Sequence, residues 1–263
     1  MADAPGIRAR EVIEPQAPLR RHPSPDAALD TEALKGEHVT IDETTPEGWC
    51  HGTLADDGYA GWLPANALAR PGEAATHKVA VPRTLVFPGP SIKLPPIEAL
   101  SLGCRLAIVR IAEPFAVTAT GGHVSTRHLA PIDDFADDPV AVAETFLNVP
   151  YLWGGKTSFG IDCSGLVQLA LTACGIACPR DSHTQEAALG RAVSMGASAC
   201  DLSALSRGDL MFWKGHVAMV RDRDTLIHAN AFHMVVAIEP ITEALARIAA
   251  TGTDFTSVRR IER

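Results

Sequence analysis

Short alternating runs of apolar and polar residues, cut by turn residues, fill the first half of the chain. HVTID (38–42), WCHGTL (49–54) and YAGWL (59–63) alternate with period two, and PEG (46–48) and ADDG (55–58) separate them. Strands of this length at this spacing predict a small β-barrel over residues 31–72. Residues 76–132 repeat the style less regularly. Strands are expected at 79–81, 106–111, 115–119 and 122–126, around a Pro-rich loop at 88–96. Residues 1–30 hold Pro5, Pro15, Pro18, Pro23 and Pro25 and read as an extended arm with little regular structure.

At Asp137 the period changes. Asp137 or Asp138 can cap a helix that begins at Pro139, with Val140, Ala143, Phe146 and Leu147 at helical spacing. A second helix follows Asp162. Its apolar residues Leu166, Val167, Leu169, Ala170 and Ala173 lie all round, so it is expected to be buried, and Gly175 is its natural stop. Strand-like runs then follow at LMFW (210–213), HVAMV (216–220), TLIHAN (225–230) and MVVAIE (234–239). Helices followed by an antiparallel run make residues 137–263 an α+β domain.

Composition sharpens this division. Of the 19 prolines, 17 lie in residues 1–150, so the chain has two compositional halves. The formal net charge of -8 argues against nucleic acid and against a polybasic membrane binder, both of which need a cation excess. Charges recur through the N-terminus at Asp3, Arg8, Arg10, Glu11 and Glu14, leaving no continuous apolar stretch of the kind a secretory signal needs. The uncharged run Cys163–Pro179 reads as the buried helix and not as a membrane span, because Ser164, Gly165, Gln168 and Gly175 interrupt it. Six cysteines in 263 residues are no disulfide scaffold, and the expectation is a cytoplasmic protein with reduced thiols.

Chemistry concentrates in the second half. Cys163 falls at the N-terminus of the buried helix, where unpaired backbone N–H groups and the positive dipole end favour a thiolate. Glycines at 154, 155, 160 and 165 allow close backbone approach around it. A thiol nucleophile needs a base, and His216 and His228 lie on consecutive strands. If Val220 and Leu226 pair across the intervening loop, His228 faces Ala218 and His216 lies two residues along on the same face, within reach. A slip of one residue would put the rings on opposite faces. In that register Cys163, His216 and His228 have the logic of a nucleophile, a base and a group that orients the base. His183 and His233 are weaker candidates, His233 as a substitute for His228. Cys174 and Cys178 with Cys200 lack the second short pair a structural zinc site requires, so no metal or other cofactor is expected.

These blocks resemble a known family. PYLWGGKTSFGIDCSGLVQLAL (150–171), RDSHTQ (180–185), RGDLMFWKGHVAMV (207–220) and IHAN (227–230) are similar to the NlpC family of papain-like cysteine peptidases of bacterial cell-wall peptides. The resemblance implies Cys163 as nucleophile, His216 as base and His228 as the third polar residue. Arg207 stands where the family has a proline, with no catalytic consequence expected. GEHVTID…GWCHGTLADDGYAGWLP resembles a bacterial SH3 (SH3b) domain, and 76–132 a second, divergent one. The organisation expected is an arm at 1–30, SH3b at 31–72, an SH3b-like domain at 76–132 and the papain-like domain at 137–263.

Two SH3b domains before such a domain resemble the murein-peptide γ-D-glutamyl endopeptidases, which cut before a diamino acid and require a free N-terminal L-Ala. That resemblance implies Asp162, Ser164 and Ser182 as substrate-binding residues, with Asp162 matching the substrate amine. It assigns Tyr59 to the pocket wall, where the alternative is a core aromatic of the barrel. Tyr151 contributes to the oxyanion site or packs near Trp153. Arg180 neutralises a substrate carboxylate or pairs with Asp181. The expected partner is a murein peptide such as L-Ala-γ-D-Glu-diaminopimelate, in cell-wall peptide recycling. Competing readings are a papain-like amidase or acyltransferase on another amide or ester, and a non-enzymatic cell-wall binding module. A Pro-rich-peptide adaptor is disfavoured by the small number of aromatics in the first barrel.

Overall fold

The computed structural model describes residues 8–194 and 202–262. They fall into two compact units that meet in sequence at Asp134 and Phe135.

The N-terminal unit is all β. Strands β1 (Arg8–Val12), β2 (Gln16–Arg20), β3 (Leu29–Leu34), β4 (His38–Thr44), β5 (Trp49–Leu54), β6 (Ala60–Pro64) and β7 (Leu68–Ala69) form one sheet in the order β3-β2-β6-β5-β4-β1-β7. Val12, Leu19, Val39, Ile41, Leu54 and Leu63 build its core, with Tyr59 packed against it. Three strands expected between 38 and 63 are present. The stretch expected as an arm is corrected: its described part supplies β1 and β2 and the start of β3. The prolines misled because Pro18 is tolerated inside β2. That strand pairs with β3 along its length, whereas its other edge meets β6 at Arg20 alone, so the missing N–H costs the ladder little.

The rest of this unit comprises β8 (His77–Val79), β9 (Arg83–Phe87), β10 (Glu98–Ser101), β11 (Arg105–Leu106), β12 (Ile108–Ala112), β13 (Phe115–Thr118), β14 (His123–Ser125) and β15 (Leu129–Pro131). They form a five-stranded sheet, β10-β9-β14-β13-β12, and a three-stranded one, β11-β8-β15. The expected strand at 106–111 is split between β11 and β12, and β9 and β10 flank the Pro-rich loop.

The C-terminal unit has the expected α+β architecture. Helix α1 (Pro139–Glu144) is capped by Asp138, whose Oδ1 accepts a hydrogen bond from Val140 N–H at 2.9 Å. It is one turn shorter than the periodicity predicts. A two-stranded ribbon, β16 (Lys156–Thr157) and β17 (Gly160–Ile161), leads into α2 (Cys163–Ala173). Every residue from Cys163 to Leu171 is buried, which is why α2 is apolar on all sides. Then come α3 (Ser182–Ala188), β18 (Arg191–Ala192), β19 (Leu210–Trp213), β20 (His216–Val220), β21 (Thr225–Asn230), β22 (Val235–Pro240), α4 (Ile241–Ala250) and β23 (Phe255–Arg260). The sheet order is β18-β23-β19-β20-β21-β22, and α2 packs on β20 and β21.

Two glycine features place the site. The chain passes from β19 to β20 through Gly215 at φ +80°, a conformation glycine adopts without a Cβ penalty, so His216 opens β20 directly after the turn. A Cβ on Gly165 would come within 2.5 Å of the Gly155 carbonyl oxygen, so only glycine lets the first turn of α2 nest against the ribbon. Among the described residues no helix is long and apolar enough to cross a membrane.

Candidate active site

Val220 pairs with Leu226 and Met219 with Ile227 across β20 and β21. This is the register on which the expected triad depends, and the two rings meet. His216 Nε2 lies 2.8 Å from His228 Nδ1, with ring centroids 5.0 Å apart. Trp213, which pairs with His216 across β19 and β20, lies beside that ring at 5.6 Å between centroids. On the other side the Cys163 thiol, 7 % exposed, receives a hydrogen bond from the backbone N–H of Val217, the residue after His216. The sheet thus brings His216 and His228 together, and the Cys163 thiol meets the residue next to His216.

Burial dominates the electrostatics of these groups. It pushes the Cys163 thiol up to about 12, and the nearby Asp162 charge adds to this against backbone N–H groups and Arg180. It pushes His216 down to about 3, helped by His228 and Arg247. Neither a lone thiolate nor a lone imidazolium is favoured here. With the Cys163 thiol bonded to the N–H next to His216, a proton passed between the two groups would create both charges together. Burial thus opposes the thiolate that the helix N-terminus alone was expected to favour.

The residues around the nucleophile are tied to one another. Arg180, 2 % exposed, is turned inward onto Asp162, and the Asp181 charge adds to the hold on its guanidinium. Its two terminal nitrogens lie 2.9 Å from Asp162 Oδ1 and 2.8 Å from Oδ2. It also donates to Ser164 Oγ at 2.9 Å and to the Gly155 carbonyl at 3.2 Å. Asp162 is the N-cap of α2. Oδ1 accepts from Gly165 N–H at 2.7 Å and from Ser164 Oγ at 3.3 Å, and Oδ2 accepts from Gly154 N–H at 2.8 Å. Most of the acceptor capacity of the Asp162 carboxylate is thereby taken up within the protein. Asp162 caps the helix, ties the ribbon to it and holds Arg180. The spacing of 18 residues between Asp162 and Arg180, with α2 between them, hid this pair in the sequence.

The remaining candidates are placed as follows. Tyr151 is half-buried, and burial together with the charges of Cys163 and Asp162 pushes its phenol up to about 12, which places it beside the nucleophile. Ser182 is half-buried at the start of α3, and Gln185 of that helix donates to the carbonyls of Ser164 and Pro179, both at 2.9 Å. His183 is exposed. Tyr59 belongs to the N-terminal unit, half-buried against the barrel core. Cys200 lies outside the described residues.

Two site residues were missed. His228 Nε2 lies 2.7 Å from Glu239 Oε1, off the axis of the ring N–H, and Glu239 is ion-paired to Arg247 of α4. Burial opposes the Glu239 charge, yet its contacts with His228 and Arg247 bring the carboxyl down to about 2. His228 pairs with Ala237 across β21 and β22, so Glu239 is its diagonal neighbour on the same face. Atoms of His228, His233 and Glu239 lie within 4.8 Å of one another, but the Arg247 guanidinium already occupies the carboxylate and repels a second cation. His233 is instead bonded to Asn230 Oδ1 at 3.0 Å.

A pH dependence of stability follows. The folded pKa of His216 is depressed, from 6.5 to about 3, so between those values the unfolded chain binds the extra proton. This contribution is full above pH 6.5 and is lost as pH falls, at up to about 1.4 kcal/mol per pH unit. Glu239 adds a second loss, between its ordinary 4.5 and about 2. The denaturant midpoint of the protein is expected to fall steadily from pH 7 to pH 5, and His216→Asn to flatten that slope. An unchanged slope in the variant would reject the buried neutral imidazole as its cause.

Comparison with known proteins agrees with this geometry. Residues 148–252 match the NlpC/P60 family, and residues 19–68 match the bacterial dipeptidyl-peptidase Sh3 domain. The gamma-D-glutamyl-L-lysine dipeptidyl-peptidase of Bacillus cereus is 30% identical over 246 residues, covering 81% of this chain and 71% of the relative. The Bacillus subtilis enzyme of the same name is 27% identical over 242 residues, covering 84% and 78%. The crystal structure of a NlpC/P60 family protein from Bacillus cereus superposes with a TM-score of 0.79 at 23% identity, covering 96% of this chain and 99% of that one.

Proposed function

Because this chain belongs to the NlpC/P60 family of cysteine peptidases, we propose that it hydrolyses the γ-D-glutamyl–diamino acid bond of murein peptides with a free N-terminal L-Ala. The observation that carries this reading is the bonded pair of His216 and His228 beside the Cys163 thiol. The names of the two relatives supply the substrate class, with L-lysine as the diamino acid. We keep diaminopimelate as the diamino acid for this chain. Free murein peptides, not intact wall, present such an N-terminus, which fits recycling of wall peptides inside the cell.

Cys163 attacks the γ-amide carbonyl as its proton passes to His216. His216 then protonates the leaving amine, and afterwards takes a proton from the water that hydrolyses the thioester. The backbone N–H of Cys163, at the N-terminus of α2, faces the developing oxyanion, and each such donor is worth about 3 kcal/mol. Tyr151 lines the same space.

Recognition of the substrate amine changes from the sequence-based expectation. With Arg180 on its carboxylate, Asp162 offers a dipole and not a free anion. Discrimination then rests on hydrogen bonds from Ser164 and Ser182 and on a wall that excludes bulk. An N-acetyl group removes the charge and adds volume, so Nα-acetyl-L-Ala-γ-D-Glu-diaminopimelate is expected to be cut on the order of a hundredfold or more slowly than the free-amine peptide. Mass spectrometry of timed digests reads the ratio. Equal rates for the two peptides would reject amine recognition.

A further inference from the structure

We propose that Glu239 and Arg247 extend the triad, acting as positioning residues that fix which ring nitrogen of His216 carries the proton. This rests on the peptidase reading above, and goes beyond it in assigning a role to two residues that touch no substrate.

The argument is one of proton counting along a line of buried atoms. His228 Nε2 and Glu239 Oε1 are 2.7 Å apart. A bare ring nitrogen this close would set its lone pair beside the carboxylate's negative charge, whereas a proton there is attracted to that charge even off the ring axis, so Nε2 carries the proton. Burial holds His228 below its ordinary value, so the ring carries one proton and not two. Its Nδ1 is then bare. His216 Nε2, 2.8 Å from that Nδ1, must donate to it. His216 has one proton, now committed to Nε2, and its Nδ1 is left bare. That is the state a base needs in order to take the thiol proton.

Arg247 determines how firmly this order is held. Its Nε lies 3.4 Å from Glu239 Oε2, and its terminal nitrogen pairs with Oε1. The guanidinium is fixed from the other side by the Phe232 ring, 4.6 Å from its centroid. Glu239 Oε1 thus serves both neighbours, His228 Nε2 and the Arg247 terminal nitrogen. In Glu239→Gln an amide oxygen in that place still accepts from both, with the NH₂ where Oε2 stands. In Glu239→Leu no acceptor is left for the His228 Nε2 proton, so nothing selects that tautomer, and the His216 proton is shared between its two ring nitrogens.

The test uses the full chain with ¹⁵N-labelled histidine, and reads both turnover and the ring-nitrogen shifts, which distinguish protonated from bare nitrogen. The wild type is expected to show His216 and His228 protonated at Nε2. Glu239→Leu is expected to show mixed tautomers on both rings, and a kcat lower by about tenfold to a hundredfold with KM little changed. The order of this loss is set by analogy with outer-shell and wrong-tautomer effects in other sites. Glu239→Gln, which keeps an acceptor oxygen in the same place, is expected to keep the Nε2 tautomers and to recover most of the kcat lost in Glu239→Leu. Arg247→Met leaves Glu239 without its anchor and is expected to lower kcat by less than Glu239→Leu, with the Nε2 tautomers still in the majority. Wild-type tautomers in Glu239→Leu, or a loss in Glu239→Gln as large as in Glu239→Leu, overturns the proposal. The nitrogen shifts are read without substrate, so an inactive wild type with the expected tautomers would count against the substrate reading alone.

Discussion

Cys163→Ala and His216→Ala are each expected to lower kcat by on the order of a millionfold, and the variant lacking both should be no worse. The reason is that the two groups act as one unit. The thiol is held up to about 12 and the imidazole down to about 3, so neither supplies a usable charge without the other. Cys163→Ala leaves His216 with nothing to deprotonate, and His216→Ala leaves a thiol with no base. Cys163→Ala should keep the wild-type unfolding midpoint at pH 7.5 to within a small shift, whereas His216→Ala should lower it, because the buried Nδ1 of His228 loses its partner. Additive losses would mean that Cys163 and His216 act in separate steps. A residual rate in Cys163→Ala near that of the wild type would move the nucleophile elsewhere.

The largest stability effect is expected at Arg180. Its side chain is 1% exposed, and it is bidentate on Asp162. Arg180→Leu would leave the Asp162 carboxylate buried without its cation, a loss of about 3–5 kcal/mol in unfolding free energy. Removing the charge as well, in Arg180→Leu with Asp162→Asn, should recover a large part of that loss, because asparagine still caps α2. Urea unfolding of the two variants decides this. If the double variant is no more stable than Arg180→Leu, the loss comes from packing and not from the orphaned carboxylate. Activity should fall in both, since the same pair ties the glycine ribbon to the first turn of α2, where Cys163 begins.

Which parts of this were legible beforehand has a physical pattern. The catalytic register could be read because the β20–β21 loop is short and flanked by apolar runs. The pairing of Val220 with Leu226 then sets the positions of His216 and His228. Glu239 could not be placed the same way, since the register of β22 depends on the path through 231–234, where Met234 adopts φ +56°. Arg180 stayed ambiguous because its partner lies across a buried helix, and no local pattern reports such a contact. In the first barrel the turn signals were sound, but proline was read as a breaker throughout, although it is tolerated wherever one edge of a strand is unpaired. Helix α4 was overlooked despite an apolar face at Ile241, Ala244 and Ile248, because it follows a strand run without a polar cap; Pro240 fills that position.

The central claim is that Cys163 cleaves the γ-glutamyl amide of a free murein peptide. The most direct measurement incubates wild-type protein and Cys163→Ala with L-Ala-γ-D-Glu-diaminopimelate and follows the products by mass spectrometry. The account predicts L-Ala-γ-D-Glu and free diaminopimelate from the wild type, and intact peptide from the variant. Intact peptide in both, or the same products in both, would contradict it.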